Sequence, residues 1–222
     1  MISYEIYPGK NTGFFELSER TINTDIPDLI GLEVEIAKQI KARLRKKEKV
    51  TVVGFGEMLA ASLIAIATHF REAISDGELD MVATNLEEFD PSDDNLTIWS
   101  VIEINKDGQI ISVPDSRTGE FIRNNLDLVR WIGGVESSQL SERLQSEGIG
   151  KVHFLHERFG ALHYSENGII AVKALSEAMA PRGLIYTTTN IRDRSRFGNI
   201  KDVGIELAGK PIVREYDVYR RK

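Results

Sequence analysis

The sequence predicts an α/β domain with a mostly parallel β-sheet that is finished by an antiparallel β-hairpin. Runs of β-branched residues alternate with helical apolar stripes through most of the 222 residues, a pattern typical of parallel strands joined by right-handed helical crossovers. The tail instead alternates apolar and polar residues on both sides of a turn at residues 208–211. The strongest strand pattern ends in Gly54 and Gly56, where the sheet is expected to turn into a helix.

The composition is that of a globular protein with a full core, at 41% hydrophobic and 28% charged residues. A net charge of −6 disfavours nonspecific binding to nucleic acid. The absence of cysteine excludes disulfide bonds, thiolate zinc sites and a cysteine nucleophile. The longest apolar stretch, residues 58–68, is shorter than the roughly 20 residues of a membrane helix, and the N-terminus has no secretory signal pattern. We therefore expect a cytoplasmic protein without a membrane or nucleic-acid partner, and a homo-oligomer is compatible with this composition.

Residues 1–48 are predicted to form an N-terminal extension that packs on a core domain of residues 49–222 and covers a cleft. Short β-like pieces at residues 3–7 and 14–17 come first. A helix follows and ends in a basic cluster at residues 41–47, which a solvent-facing helix end explains better than a binding patch. The apolar stripe of this helix consists of Leu29, Leu32, Ile36, Ile40 and Leu44.

The strand at residues 50–56 is followed at once by an alanine-rich helical pattern. Gly54 and Gly56 carry no Cβ, so the backbone turns sharply there and a ligand can approach it at the start of the helix. The third glycine of a dinucleotide-binding G-x-G-x-x-G motif would fall on Leu59, so the motif is incomplete. The turn alone therefore predicts a ligand site or a tight strand-to-helix connection.

The remaining chain continues the alternation of strands and helices. Further strands are predicted at residues 79–85, 97–104, 109–113, 129–132, 151–156, 184–189, 203–207 and 212–219. Helices are predicted at residues 117–126, 138–145 and 167–179, the last stopped by a turn at residues 181–183. In parallel sheets, ligands bind beyond the carboxyl ends of the strands, near the point where the strand order reverses. Those ends carry Asn85, Glu136 and His156 in addition to the glycine turn.

The segments VHFLHERFGALHY at residues 152–164 and ALSEAMAPRGLIY at residues 174–186 carry a resemblance to a known family. The chain resembles class I S-adenosylmethionine-dependent methyltransferases, whose small-molecule members have a similar strand, an "RFALHH"-like loop and an "L-x-P-G-G" turn. The resemblance runs from about Lys49 to the C-terminus. It implies a three-layer, Rossmann-like, mostly parallel seven-stranded sheet with a C-terminal antiparallel β-hairpin. It also implies S-adenosylmethionine as cofactor and a small-molecule methyl acceptor as partner.

The same resemblance implies which residues bind the cofactor. Gly54, Phe55 and Gly56 would form the loop that cradles its methionine and ribose part. Asn85 would hydrogen-bond the ribose, and Glu136 lies next to the position that usually contacts the adenine amine.

Three further residues are candidates for catalysis, and no metal is expected. His156 or His163 would remove a proton from the acceptor, because imidazole is the usual base at neutral pH. Tyr164 would orient the acceptor. The alternative explanation is a loop whose polar groups are satisfied at the surface. The sequence contains no H-E-x-x-H zinc pattern, and His153 alternates with apolar residues on a strand.

Three positions depart from the family pattern. Val52 stands where an acid usually precedes the glycine loop, Asn85 replaces the acid that closes the second strand, and Val135 occupies the adenine-binding slot beside Glu136. Each lost charge-assisted hydrogen bond weakens binding by about 1.5–3 kcal/mol. The alternative is therefore a catalytically degenerate protein of this fold that serves as a binding or interaction module. A nicotinamide-dependent reductase is disfavoured, because Asn85 offers no acid for the ribose.

Overall fold

The structure is a computed structural model and describes residues 3–6, 32–56, 61–86, 97–104, 110–114, 116–157, 161–209 and 216–222. The strands in chain order are β1 (Ser3–Ile6), β2 (Val50–Phe55), β3 (Leu79–Thr84), β4 (Thr97–Ile104), β5 (Ile110–Pro114), β6 (Arg130–Ile132), β7 (Val152–Glu157), β8 (Met179–Thr187), β9 (Ile205–Gly209) and β10 (Asp217–Arg221). The helices are α1 (Leu32–Leu44), α2 (Ala61–Thr68), α3 (Arg71–Ser75), α4 (Ser116–Arg123), α5 (Leu140–Ser146), α6 (Gly168–Ala178) and α7 (Arg194–Phe197). Short 3-10 turns lie at Leu126–Leu128 and Ser137–Gln139.

Seven strands form one sheet in the order β6-β3-β2-β7-β8-β10-β9. The first five run parallel, whereas β10 is antiparallel to both β8 and β9. This arrangement confirms the predicted fold class, including the C-terminal antiparallel hairpin. The chain moves outward from β2 to β3 and β6 on one side and later to β7 and β8 on the other. The strand order therefore reverses between β2 and β7.

Helices cover both faces of this sheet. Neighbouring residues on each strand point to opposite sides, and because most of these residues are apolar, both sides have to be shielded from water. We call the face that bears Val52 and Phe154 the first face, and the face that bears Val53 and Leu155 the second face. Helices α1 and α2 close the first face, and α5 and α6 close the second face. The first core includes Ile36, Ile40, Leu63, Ile64, Ile66, Phe154 and Tyr186. The second core includes Val53, Phe55, Leu140, Leu144, Val172 and Leu175.

Strand β8 begins earlier than the sequence predicts. The structure places Met179 next to Val152 and Leu184 next to Phe154, so the pairing contains a bulge between these positions. The predicted turn at residues 181–183 is part of this bulge, and Arg182 has a φ of +62°. A Cβ on Gly183 would lie 2.9 Å from the carbonyl oxygen of Val152. Helix α6 ends at Ala178 and β8 begins at the next residue. The missing side chain of Gly183 allows β7 and β8 to stay close.

The two strands of the C-terminal hairpin also lie later than predicted. Strand β9 spans Ile205–Gly209, so it includes half of the turn predicted at residues 208–211. Strand β10 spans Asp217–Arg221, and residues 210–215 lie outside the described residues. A register shift between Val218 and Tyr219 accompanies this pairing. Alternation of residue types locates a hairpin, but the length of each strand depends on its partner.

A second sheet of three strands has the order β1-β4-β5. Strands β4 and β5 are antiparallel, as the predicted hairpin requires, and β1 pairs with β4 in parallel. The predicted β piece at residues 14–17 and the turn at residues 105–108 lie outside the described residues. The division of the chain at residues 48 and 49 stays a prediction.

Within the described part of the chain, no helix is both long and apolar enough to cross a membrane. The cytoplasmic location stays a prediction from the sequence.

Candidate functional site

The carboxyl ends of the five parallel strands form one edge of the main sheet, which we call the carboxyl edge. The strand order reverses between β2 and β7 at this edge. Loops that leave such a reversal point diverge, which opens a crevice for a ligand. The predicted residues Gly56, Asn85, Glu136 and His156 all belong to strands or loops at this edge.

The glycine turn lies at the carboxyl end of β2. Gly56 has a φ of +74°, a left-handed conformation that strongly favours glycine. Its backbone N–H donates to the carbonyl oxygen of Thr84 at 2.9 Å, and the Thr84 hydroxyl donates to the carbonyl oxygen of Gly54 at 3.3 Å. The Phe55 side chain is fully buried in the second core. A ligand would therefore meet this turn through its backbone, and residues 57–60 lie outside the described residues.

Asn85 follows β3 and connects two strand ends. Its backbone N–H donates to the carbonyl oxygen of Ile132 at 3.1 Å, and its own carbonyl oxygen accepts from the N–H of Val135 at 2.8 Å. Its side-chain Oδ1 accepts from the N–H of Leu86 at 2.8 Å. The Nδ2 group is the part of the side chain that can donate to a ligand hydroxyl.

Glu136 lies in the loop after β6. The preceding Gly134 has a φ of +65°, and Val135 is buried at 1% exposure. The Glu136 side chain is exposed and accepts a hydrogen bond of 3.5 Å from the Ser138 hydroxyl. It provides a carboxylate at the carboxyl edge, one residue beyond Val135.

His156 lies on β7, in register with Gly54 on one side and Tyr186 on the other. The imidazole is buried at 6% exposure. Its Nε2 lies 3.1 Å from the Tyr216 hydroxyl, and the two ring centroids are 5.5 Å apart. The sequence reading did not identify Tyr216, which lies 60 residues downstream in a stretch with a plain strand pattern.

Glu157 is a second residue at the carboxyl edge to which the sequence analysis assigned no role. Its side chain is completely buried. The carboxylate accepts hydrogen bonds from the hydroxyls of Thr187 and Thr189, the latter at 3.1 Å. The N–H of Thr189 also donates to the Thr187 hydroxyl at 2.8 Å. Glu157 thus ties the end of β7 to the loop after β8.

His163 and Tyr164 lie together on an exposed turn between β7 and α6. Their rings pack edge to face, with centroids 4.9 Å apart, and Tyr164 is 74% exposed. Arg196 holds this turn, because its guanidinium donates to the carbonyl oxygens of Leu162 at 3.2 Å and Ser165 at 3.3 Å, and also to that of His163. These two residues therefore belong to a separate, solvent-facing part of the carboxyl edge, and residues 158–160 lie outside the described residues.

The electrostatics near His156 involve a neutral tyrosine. Burial raises the pKa of the Tyr186 phenol, and the negative charge of Glu35 raises it further. Tyr186 therefore stays protonated at neutral pH beside His156.

His153, on the same strand, has a structural role. The N–H of Thr51 donates to its Nδ1 at 3.1 Å. Among the described residues there is no group of three or more acidic, histidine or cysteine side chains that could hold a metal ion.

A cleft of about 270 Å³ lies near the opposite edge of the sheet. Its walls come from α5, the end of α6 and the residues that precede β7, and thus from the amino end of that strand. They are Ser141, Leu144, Gln145, Ile149, Gly150, Lys151 and Ala178. None of the candidate site residues contributes to it. This cleft is therefore separate from the candidate residues at the carboxyl edge.

The sequence matches no protein-family model and no curated protein. Solved structures resemble the fold. The match to the O-methyltransferase NovP covers 92% of this chain and 88% of NovP, at 14% identity and a TM-score of 0.48. MNMC2 from Aquifex aeolicus covers 85% of this chain at 10% identity and a TM-score of 0.52, and this chain spans 56% of its length. A third similar structure is the N-methyltransferase NodS from Bradyrhizobium japonicum, solved with S-adenosylhomocysteine. The match covers 94% of this chain and 98% of NodS, at 12% identity and a TM-score of 0.42. Identities this low show the fold alone, and the chain has the Rossmann-like fold of class I methyltransferases.

Proposed function

We propose that this protein is an S-adenosylmethionine-dependent methyltransferase that acts on a small-molecule acceptor. One observation carries the proposal. The glycine turn at Gly56 and the imidazole of His156 lie on the two strands between which the strand order reverses. This is the place where sheets of this type bind ligands.

The residues at the edge fit the nucleoside part of S-adenosylmethionine. The backbone of Gly54 and Gly56 has no Cβ to exclude the ligand. The Nδ2 group of Asn85 suits a ribose hydroxyl, and the exposed carboxylate of Glu136 suits an exocyclic amine. When bound, S-adenosylmethionine supplies a methyl group on a sulfonium centre.

The acceptor requires positioning and the removal of a proton. Alignment of an acceptor with the methyl group is the larger contribution, and we assign it to Tyr164 with a contribution from the N-terminal segment of residues 1–48. His156 receives the acceptor's proton, and His163 is the second candidate for that role. A proton acceptor is needed only where the acceptor is a hydroxyl or a protonated amine.

A second candidate function is a noncatalytic binding module of the same fold. Two observations favour it. Positions 52 and 135 are both valine, so neither offers a carboxylate to the ligand. Both side chains are buried at 1% exposure. Oδ1 of Asn85 accepts from a backbone N–H, so the amide replaces the missing acid only through Nδ2.

Thermal melting with added ligand distinguishes the alternatives. At about 100 times its Kd, a ligand stabilises the folded state by about 2.7 kcal/mol, which raises the Tm of a domain of this size by several degrees. We expect this rise with S-adenosylmethionine and S-adenosylhomocysteine, and no rise with NADH. Glu136→Ala should reduce the shift, whereas Glu142→Ala, an exposed carboxylate on α5, should not.

Three outcomes would contradict the proposal. A melt that neither adenosyl ligand changes at millimolar concentration excludes cofactor binding. Binding without transfer of a labelled methyl group to any of a panel of small phenols and amines favours the noncatalytic module. A shift with NADH alone would favour the reductase.

A further inference from the structure

Tyr216 lies closer to the carboxyl edge than His156, on the same face of the sheet. Val218 of β10 pairs with Tyr186 of β8, and Tyr186 pairs with His156. Because alternate residues of a strand share a face, Tyr216 projects from the first face together with Val218. Strand β10 runs antiparallel to the others, so Tyr216 lies two residues further toward the carboxyl edge.

The two side chains form a buried pair. Tyr216 is 8% exposed and His156 is 6% exposed, and the Tyr216 hydroxyl lies 3.1 Å from Nε2 of the imidazole. Hydrogen bonds in such a water-poor environment are stronger than at the surface.

The chemistry of the two groups indicates which one donates. A phenol is a stronger hydrogen-bond donor than the N–H of a neutral imidazole, and the unprotonated imidazole nitrogen is a good acceptor. In the tautomer whose Nδ1 carries the ring proton, the Tyr216 hydroxyl donates to Nε2. In this tautomer, Tyr216 lies between the basic nitrogen and the carboxyl edge.

We propose that Tyr216 relays the acceptor's proton to His156, an inference that rests on the proposed methyltransferase function. The acceptor's X–H bond breaks and its proton moves to Oη of Tyr216, while the hydroxyl proton of Tyr216 moves to Nε2 of His156. The bonding electron pair stays on the acceptor atom. Tyr216 ends as a neutral phenol and His156 as an imidazolium, so charge and protons balance. An acceptor with an acidic hydroxyl, such as a phenol, suits this relay better than an uncharged amine.

The chain offers a matched control on the same strand. Tyr219 is also buried, but it belongs to the second core and its hydroxyl donates to Oδ2 of Asp217 at 3.0 Å. Tyr219→Phe removes a buried hydroxyl from β10 without touching His156. Tyr216→Phe removes the proposed donor and keeps the ring.

Nitrogen-15 NMR of the imidazoles in the full chain tests the hydrogen bond without any ligand. The chain has 4 histidines, and His156→Gln assigns the relevant resonances. We expect Nε2 of His156 to be unprotonated in the wild type and in Tyr219→Phe, and the tautomers to mix in Tyr216→Phe. A proton on Nε2 in the wild type, or unchanged resonances in Tyr216→Phe, would overturn the relay.

Two further measurements separate the relay from the proposed function. Calorimetric titration with S-adenosylhomocysteine should give Tyr216→Phe a Kd within about twofold of the wild type, because the hydroxyl serves the acceptor. With the phenol that the wild type methylates fastest, Tyr216→Phe should lower kcat by about 10²- to 10⁴-fold, the range of general acid–base catalysis. An unchanged kcat would contradict the relay. Failure of the wild type to bind S-adenosylhomocysteine would contradict the proposed function, and the NMR result would still decide the hydrogen bond.

Discussion

His156 and Gly54 are neighbours on adjacent parallel strands at the point where the strand order of the sheet reverses. Because Gly54 has no side chain, β2 contributes nothing to the first face beside the imidazole. The pairing links the glycine turn to the buried polar pair of His156 and Tyr216. The carboxyl edge thus brings a glycine backbone next to a buried imidazole.

Gly56→Ala tests the glycine turn. An alanine at a φ of +74° is strained, and left-handed backbone costs a residue with a Cβ about 1–2 kcal/mol. We expect the free energy of unfolding, measured with urea, to fall by that amount. Gly150→Ala is the control, since a Cβ there meets nothing within 4 Å and its backbone is not left-handed. Equal effects of the two substitutions would contradict the strain at Gly56.

Glu157→Ala tests the buried carboxylate. Removing it leaves the hydroxyls of Thr187 and Thr189 without their acceptor, and buried hydrogen bonds to a charged group contribute about 1.5–3 kcal/mol each. We expect the free energy of unfolding to fall by roughly 3 kcal/mol or more. Glu147→Ala removes a partly exposed ion pair with Arg130 and should cost less than about 1 kcal/mol. If the two variants unfold at the same urea concentration, the buried hydrogen bonds of Glu157 contribute no more to stability than the partly exposed ion pair of Glu147.

Arg196→Met tests how the turn with His163 and Tyr164 is held. The guanidinium donates to three backbone carbonyls of that turn. If its removal destabilises the closed turn by about 1.4 kcal/mol, the equilibrium constant for local opening rises tenfold. Amide hydrogen exchange of residues 161–167 should become about tenfold faster. Arg194→Met, on the exposed side of the same short helix, should leave exchange unchanged. Equal exchange in both variants would show that Arg196 does not anchor the turn.

Gly168→Ala tests the contact between α6 and α7. A Cβ at residue 168 would lie 2.6 Å from the carbonyl oxygen of Arg196 and 2.6 Å from the ring of Phe197. Overpacking of this kind costs about 1–3 kcal/mol, and we expect that loss in urea unfolding. Gly209→Ala is the control, because its Cβ would meet nothing within 4 Å. A stable Gly168→Ala variant would mean that α7 moves away at little cost.

The pH dependence of stability should reveal His153. Burial lowers its pKa below the ordinary value of 6.5, with a further contribution from Arg43. The unfolded chain therefore binds this proton more readily, and stability falls as the pH drops through 6.5 toward the pKa of the folded state. Neutral Nδ1 also accepts from the N–H of Thr51. We expect urea unfolding between about pH 7.5 and 5.5 to show this loss in the wild type and in His69→Gln, but a smaller loss in His153→Gln.

The predictable features of this protein are those that neighbouring residues determine. The β-branched run of β2, the alanine-rich segment after it and the apolar stripe of α1 each satisfy one local periodicity. Within the described residues their elements appear where the patterns indicate, whereas Leu29 and residues 57–60 lie outside them. The resemblance to class I methyltransferases rests on the residue types at 152–164 and 174–186, which are similar to family motifs, and the strand order agrees with it. The start of β8 was not predicted correctly, because it depends on a bulge in the pairing with β7.

The candidate site could be predicted only in part. Gly56 and Asn85 follow strand patterns, so their place at the carboxyl edge could be read directly. His163 and Tyr164 were grouped with His156 because they are close in the chain, but the structure places them on an exposed turn anchored by Arg196. The contact of Glu157 with Thr187 joins residues 30 apart in sequence. No local pattern indicates such a pair.

The sequence by itself determined the type and order of most elements, though not α7, together with the glycine turn and the lack of an acid at Val52. These follow from residue type and short-range periodicity, which do not depend on the rest of the chain. Only the tertiary structure decided that Tyr216 reaches His156 and that Gly54 lies beside that histidine. The register between β2 and β7 sets the contact with Gly54, and the registers of β8 with β7 and β10 set the position of Tyr216. Register is a property of paired strands, and the residues it joins are distant in the chain.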